Sequence, residues 1–474
     1  MATGCASTWI EMIERKEKPR AMEAETSSLM AGSLEKSSKN MGLVGDSVDT
    51  PNSHPDTVKG KANSPSAITY WILNKAYAAI GSPPLQIQLW NGIKFGRKDA
   101  DMHTKIQVKT KKAFFKLLAY PDLFFGDEYA SGNIIIEGNL ITFLETFYRG
   151  QISSKPHLLQ KIISYFYVRR QENHLEGSQD NVHHHYNIGN DFYKLWLDEQ
   201  LIYTCAYYPT IESTLQEAQQ AKMEHICRKL HLCPGQTVIE VGCGWGALAI
   251  YMAKNYAVKV TAFNISAEQI KHARARAVTE GLEKNVEFVQ DDYRNVQGTF
   301  DAFVSVGMLE HVGPDHYENF GKLINRCLKK SGHGLLHFIG RNGPMPMNAW
   351  IEKRIFPGAH PPALSEAMAI FESGEFSVLD VENLRLHYAK TLEHWLDKYE
   401  QETAAITEMF DSEFVNSWRL YLAGSIAAFL MGDLQLFQIS FVHGQNNFIQ
   451  WNRDFLHNDN KTNTRQEPKW KHMT

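Results

Sequence analysis

TVIEVGCGWGALAIYMAKNY, residues Thr237–Tyr256, decides the fold. TVIEV is apolar, β-branched and of strand length, while ALAIYMAKNY carries its apolar residues at helical spacing. Between them, GCGWG places glycines at 242, 244 and 246. That spacing of two differs from the GxGxxG of dinucleotide folds, and no Lys-Ser or Lys-Thr follows to grip a phosphate. A run of this kind lets the backbone turn sharply and pass close to a ligand. Strand and helix keep alternating downstream: KVTAFN leads into SAEQIKHARARAVTEG, and NVEFVQ, FDAFVSV and GLLHFI follow as short apolar runs. The pattern predicts an α/β fold, a doubly wound, mainly parallel sheet with ligands at the carboxyl ends of its strands.

Working outward, the N-terminal flank divides in two. Residues 1–66 are rich in Ser, Lys, Glu, Asn and Pro without sustained periodicity, the composition of a disordered extension. Residues 67–168 read as a smaller N-terminal α+β domain. IQLWNGIKF and KIQVKT read as strands, KKAFFKLLAYP as a helix stopped by Pro121, and IIIEG as a further strand. Polar residues 169–182 form a linker to the main domain at 183–457, and 458–474 are a polar tail.

The chain has 474 residues and a formal net charge of -4, which gives no reason to expect nucleic acid as a partner. Six cysteines without a CxxC pair make neither a disulfide framework nor a zinc site, and point to a reducing, cytoplasmic setting. LYLAGSIAAFLMG (Leu420–Gly432) is too short to span a bilayer and reads as a buried helix. Three adjacent histidines, His183–His185, cannot all face one ion in a regular element, so no metal is expected.

ExGxGxG after a first strand resembles motif I of S-adenosylmethionine-dependent methyltransferases. On that resemblance Gly242, Gly244 and Gly246 approach the cofactor. Asn264 stands where most such enzymes put a ribose-binding carboxylate. SAEQ is first a capping box, Ser266 to Gln269, with any cofactor contact of Gln269 an added use. QDDY offers Asp292 to the adenine amino group and Tyr293 as a stacking face; a solvated turn is nearly as good a reading.

HHHYNIGNDFYKLWLDEQLIYTCAYYPT, STLQEAQQAK, VIEVGCGWG, GMLEHVG, LLHFIG, IFPGAHPP and HYAKTLEHW, in that order, resemble the cyclopropane-fatty-acyl-phospholipid synthase family, which includes the mycolic acid cyclopropane synthases. The resemblance covers about residues 183–440, and GDEYASGNIIIEG resembles the small N-terminal domain of its phospholipid enzymes. It implies a Rossmann-like class I methyltransferase fold. It also implies methyl transfer from S-adenosylmethionine to a cis double bond, leaving a carbocation that loses a proton to close a three-membered ring.

In that family bicarbonate is the base. Its ligands carry over to the Cys205 carbonyl, the Glu310 carboxyl, the His337 ring, the Ile339 N–H and the Tyr388 hydroxyl, while Tyr203 and Thr204 sit against the cofactor. Taken singly, His337 reads as a core histidine, Glu310 as a helix start and Tyr388 as a buried aromatic; their joint occurrence in matching motifs favours the site. Cys205 has no neighbouring base in sequence and is a poor nucleophile. Trp350, Phe356 and Phe371 are candidates for an acyl channel, with core packing their ordinary explanation.

The implied partner is an unsaturated phospholipid, met peripherally at a membrane surface, and a homodimer is a further implication. Double-bond methylation giving a branched or methylene chain, small-amine N-methylation on the same core, and non-catalytic lipid binding remain alternatives.

Overall fold

The computed structural model describes residues 84–96, 105–152 and 188–456, with Trp71, Leu73, Asn74, Tyr77 and Ala78. The expected extension at 1–66, the linker at 169–182, His183–His185 and the tail from 458 lie outside the described residues.

The first sheet comprises β1 (Gln86–Leu89), β2 (Lys94–Gly96), β3 (Lys105–Val108) and β4 (Ile134–Glu137), ordered β2-β1-β3-β4. IQLWNGIKF is a hairpin and not one strand: the Gly92 N–H donates to the Leu89 carbonyl at 2.9 Å and turns the chain back. Helices α1 (Lys111–Ala119) and α2 (Pro121–Ala130) precede β4, and α3 (Leu140–Ile152) follows it. Pro121 stops α1 as expected and also begins α2, where its missing N–H costs nothing.

The second part runs α4 (Asn190–Trp196), α5 (Leu215–Lys229), β5 (Thr237–Val241), α6 (Ala247–Tyr256), β6 (Lys259–Asn264), α7 (Ala267–Thr279), β7 (Val286–Gln290) and β8 (Phe300–Val306). It continues through α8 (Tyr317–Cys327), β9 (Leu328–Gly340), α9 (Ala349–Arg354), α10 (Leu364–Ser373), β10 (Phe376–Asn383), α11 (Arg385–Gln401), α12 (Thr403–Met409), α13 (Ser412–Met431) and β11 (Gln435–His443). The strands form a seven-stranded sheet, β10-β11-β9-β8-β5-β6-β7. From β9 to β7 neighbours are parallel, and β11 runs antiparallel to both β9 and β10. The chain leaves β5 toward β6 and β7, then returns to β8 on the other side. That reversal opens a crevice at the carboxyl ends of β5 and β8.

α5 begins on a capping box, with Thr214 Oγ1 accepting from the Glu217 N–H and the Glu217 carboxylate from the Thr214 N–H. Leu420–Met431 is the second half of α13, Gly432 caps its end, and most of this stretch is buried. No described helix is long and apolar enough to cross a membrane. One apolar cluster joins Leu123, Phe143 and Leu144 beside the first sheet to Trp196, Trp350, Trp418 and Tyr421 beside the second. The two sheets thus share a core within Ala62–Thr474.

Candidate active site

A cavity of about 250 Å³ opens where β5, β6, β7 and β8 end. Val241 leads into Gly242, which has a φ of +81°, and the N–H groups of Gly242 and Cys243 donate to the Phe263 carbonyl on β6. A side chain at Gly242 would stand 2.9 Å from the Met308 Cβ, so both the turn and the crowding call for glycine. Gly244 also lines the cavity. Gly246 does not: a Cβ there would lie 2.6 Å from the Phe288 ring and 2.8 Å from Ala273. Glycine there serves the turn into α6, at a φ of +82°, and the packing of α6 and α7 on the sheet.

Asn264 and Gln269 reach the cavity wall together. Asn264 Nδ2 donates to Gln269 Oε1 at 2.7 Å and to the Gly244 carbonyl at 3.3 Å. Ser266 does cap α7, accepting from the Gln269 N–H, but the Gln269 side chain turns to Asn264 instead of reaching back. The expected capping box is therefore half formed. Asp292 and Tyr293 also line the cavity, with the Asp292 carboxylate held by Arg294 through both oxygens. Burial pushes the Tyr293 hydroxyl up to about 12.

Tyr203 and Thr204 form the opposite wall. The Tyr203 hydroxyl lies 2.8 Å from that of Tyr421, and its ring lies 5.3 Å from both Trp196 and Trp395. Behind Thr204 is Lys222, which is 3% exposed and donates to Thr204 Oγ1 at 2.7 Å. Glu240 faces the same cavity with Oε2 buried and unpartnered. Burial drives Lys222 and Glu240 toward their neutral forms, and the charge of each resists the change in the other.

The sequence reading missed Lys222 and Glu240, although both leave a trace. In STLQEAQQAK, Leu215, Ala218 and Lys222 share one helical stripe, and a lysine on an apolar stripe demands a partner. Glu240 is a charge inside an otherwise apolar strand. A buried carboxyl facing a backbone-lined cavity suits the sulfonium and amino acid end of S-adenosylmethionine, so the residues present fit that cofactor.

None of the residues expected to hold the base lines this cavity. Glu310 occupies a 3₁₀ turn, Leu309–His311, after β8, next to the cavity-lining Met308 and His311. Its Oε1 accepts from the Ile339 N–H at 2.6 Å, so that N–H is committed to Glu310 and not open to a ligand as expected. Glu310 Oε2 is buried without a hydrogen bond. Two residues before Ile339 on β9, His337 is 2% exposed. Gln438 Nε2 on β11 lies 3.0 Å from His337 Nδ1, while Nε2 is unpartnered.

Burial pushes Glu310 up to about 7, against the Ile339 hydrogen bond. Burial, aided by the charges of Lys222 and Lys229, holds His337 well below its usual value, hence neutral. With Gln438 donating to Nδ1, the neutral ring carries its hydrogen on Nε2. Gln438 too was missed; it is a polar residue in β11, a strand buried along its whole length.

Cys205 is fully buried, and burial pushes its thiol far above the ordinary range. The nucleophile reading has no physical support. Tyr388 is buried in the same apolar cluster, its ring against Phe429 (4.7 Å) and Trp395 (5.9 Å). Trp350 and Phe356 belong to this cluster, whereas Phe371 packs on Phe441 across the sheet and is no part of a channel here. Among the described residues no cluster of His, Cys, Asp and Glu is arranged to hold a metal ion.

A family model described as mycolic acid cyclopropane synthetase matches residues 173–439. The chain belongs to that family. A separate model, for a domain of unknown function, matches residues 72–157. A probable fatty acid methyltransferase of Pseudomonas putida is 33% identical over 372 residues, 75% of this chain and 91% of that protein. The cyclopropane-fatty-acyl-phospholipid synthase of Escherichia coli K12 is 39% identical over 269 residues, 56% of this chain and 68% of the synthase. Among solved structures, the mycolic acid cyclopropane synthase CmaA1 complexed with SAH and CTAB matches with a TM-score of 0.54 and 30% identity. That match covers 56% of this chain and 97% of CmaA1. The protein is thus an S-adenosylmethionine-dependent enzyme of the methyltransferase and cyclopropane synthase class, on a Rossmann-like class I fold.

Proposed function

We propose that this enzyme transfers the methyl(ene) group of S-adenosylmethionine to the cis double bond of an unsaturated phospholipid acyl chain and closes a cyclopropane ring. The observation that carries this reading is that Glu310 Oε2 and His337 Nε2 are each buried without a hydrogen-bond partner, on residues adjoining the cofactor cavity: Glu310 precedes the cavity-lining His311, and the His337 carbonyl accepts from the N–H of the cavity-lining Gly307. Two such atoms suit a small anion: a Glu310 that keeps its proton near neutrality donates from Oε2, and neutral His337 donates from Nε2. The Cys205 carbonyl and Tyr388 hydroxyl complete the set implied by the family resemblance, and Ile339 serves through Glu310. Bound there, bicarbonate would supply the base that takes a proton from the new methyl group.

The chain's other contributions are steric and electrostatic. An alkene is a weak nucleophile and needs near-attack alignment in a dry site. Tyr203, Trp395, Tyr388 and Phe429 form a run of aromatic rings whose faces favour a cation and exclude water. Membrane contact is supported beside the first sheet. There Trp90, Phe115 and Leu118 are exposed, Trp90 and Phe115 both pack on Phe114, and Lys111 stands 5.9 Å from the Phe115 ring. Aromatic and basic groups interleaved in this way suit an anionic lipid surface.

The relationship to a probable fatty acid methyltransferase over three quarters of the chain favours a second reading, methyl transfer without ring closure. Incubating the protein with S-adenosylmethionine and vesicles of a monounsaturated phospholipid, followed by mass spectrometry of the released acyl chains, separates the two. A product heavier by one CH₂ that resists mild hydrogenation establishes the ring. A product that gains the mass and keeps a double bond establishes methyl branching. Unchanged acyl chains overturn both.

A further inference from the structure

The loop LIYTCAYYPT is gripped from two sides. From α5, Gln219 Nε2 donates to the Thr204 carbonyl at 2.9 Å, and the Ala218 carbonyl accepts from the Tyr207 N–H at 3.1 Å. From α11, Thr391 Oγ1 accepts from the Ala206 N–H at 3.0 Å, and His387 Nδ1 from the Tyr208 N–H at 2.9 Å. Tyr207 is stacked between the rings of His225, at 4.3 Å, and His387, at 5.0 Å. Among the described residues no hydrogen bond reaches the Cys205 carbonyl, which lies in the middle of this grip.

A peptide group is planar and trans, so fixing the Ala206 N–H fixes the Cys205 carbonyl on the opposite side of the same plane. Thr391 is suited to do this in one sense only. Its hydroxyl hydrogen is given to the His387 carbonyl at 2.7 Å, one helical turn back, which leaves a lone pair for the Ala206 N–H. Thr391 is fully buried, so no water can substitute for it. It also stands three residues after Tyr388, on the same face of α11. One helix thereby sets both the Tyr388 hydroxyl and the direction of the Cys205 carbonyl.

We propose that Thr391 is a positioning residue that aims the Cys205 carbonyl into the base site. The inference rests on the reading of that carbonyl as a ligand of the bound base. In Thr391→Val the Ala206 N–H loses its acceptor, and the peptide is free to rotate toward another. Three quantities should be measured on carbonate-depleted full-length protein: S-adenosylmethionine affinity, the rise in melting temperature on adding bicarbonate at fixed pH and ionic strength, and the bicarbonate concentration that half-restores turnover.

Relative to wild type, Thr391→Val is expected to raise that concentration about tenfold and to abolish the rise in melting temperature, with cofactor affinity within about twofold. Thr391→Ser keeps the hydroxyl and restores both responses. Should Thr391→Val fail to fold, Thr391→Ala removes the same acceptor without crowding the amide and is read the same way. Wild-type bicarbonate responses in the Val or Ala variant, or loss of them in Thr391→Ser as well, overturn the positioning role and leave the base reading intact. A wild-type protein whose turnover and melting temperature ignore bicarbonate overturns the base reading, and the positioning role with it.

Discussion

On the cavity side of the site, Gly242, Asn264 and Asp292 stand at or just past the ends of β5, β6 and β7, whereas the proposed base side draws Cys205, Glu310, His337 and Tyr388 from four separate segments. The first side works mainly with backbone approach and with side chains that already have partners, such as Asn264 on Gln269 and Asp292 on Arg294. The second works with buried polar atoms whose hydrogen bonding is left incomplete, at Glu310 Oε2 and His337 Nε2. Apart from the buried Lys222 and Glu240, shape therefore governs the first side and electrostatic tension the second. The two should fail in different ways when disturbed.

The sharpest break is expected at His337. His337→Ala removes a ring that makes no contribution to the cofactor cavity wall, so S-adenosylmethionine affinity should stay within about twofold, while turnover falls by about 10²–10⁴, the usual worth of the acid–base step that a base held by His337 would perform. Calorimetry of cofactor binding beside single-turnover kinetics reads both numbers. Parallel losses in the two would mean that the sides are not separate and that the role given to His337 is wrong.

A smaller effect should appear on the cavity side, where two glycines of one loop make a controlled pair. Gly242→Ala meets a positive φ and Met308, and should weaken cofactor binding about tenfold or more. Gly246→Ala meets the same left-handed backbone, at a φ of +82°, but crowds Phe288 and Ala273 in place of Met308, away from the cavity. It should lower stability by about 1–3 kcal/mol, while the folded fraction binds the cofactor normally. Denaturant melts together with binding isotherms distinguish the two. If Gly246→Ala behaves like Gly242→Ala, the third glycine touches the ligand after all.

How much of this was legible in the sequence follows the same division. ALAIYMAKNY and KVTAFN fall on α6 and β6 because a local period of helix or strand coincides with local burial. Gly242, Asn264 and Asp292, which line the cavity, could be placed by counting from strand ends. IQLWNGIKF was misread because the Asn-Gly at its centre is a turn signal, outweighed in that reading by the apolar residues on either side. The pairing of Ile339 with the turn residue Glu310, and of His337 with its register partner Gln438, spans long stretches of chain. No local pattern reports it. Thr391 was visible only as one letter of HYAKTLEHW, since its importance lies in the peptide it holds across the fold.

The last prediction concerns the tension stored at Glu310. Its carboxyl titrates near 7 in the folded protein and near the ordinary 4.5 when unfolded, because burial penalises the charged form. Below about pH 4.5 both states hold the proton. As pH rises from there to about 7, the unfolded chain ionises first, and the stability due to this group is lost progressively; above 7 the loss is complete. Glu310→Gln keeps an oxygen for the Ile339 N–H and cannot ionise, so it should not show that decline. Its stability relative to wild type should rise by about 1–3 kcal/mol between pH 5 and pH 8, even as turnover falls. Urea melts of both proteins at the two pH values test this. A difference that stays constant with pH would place an ordinary, already satisfied carboxylate at Glu310 and remove the distinction between the two sides of the site.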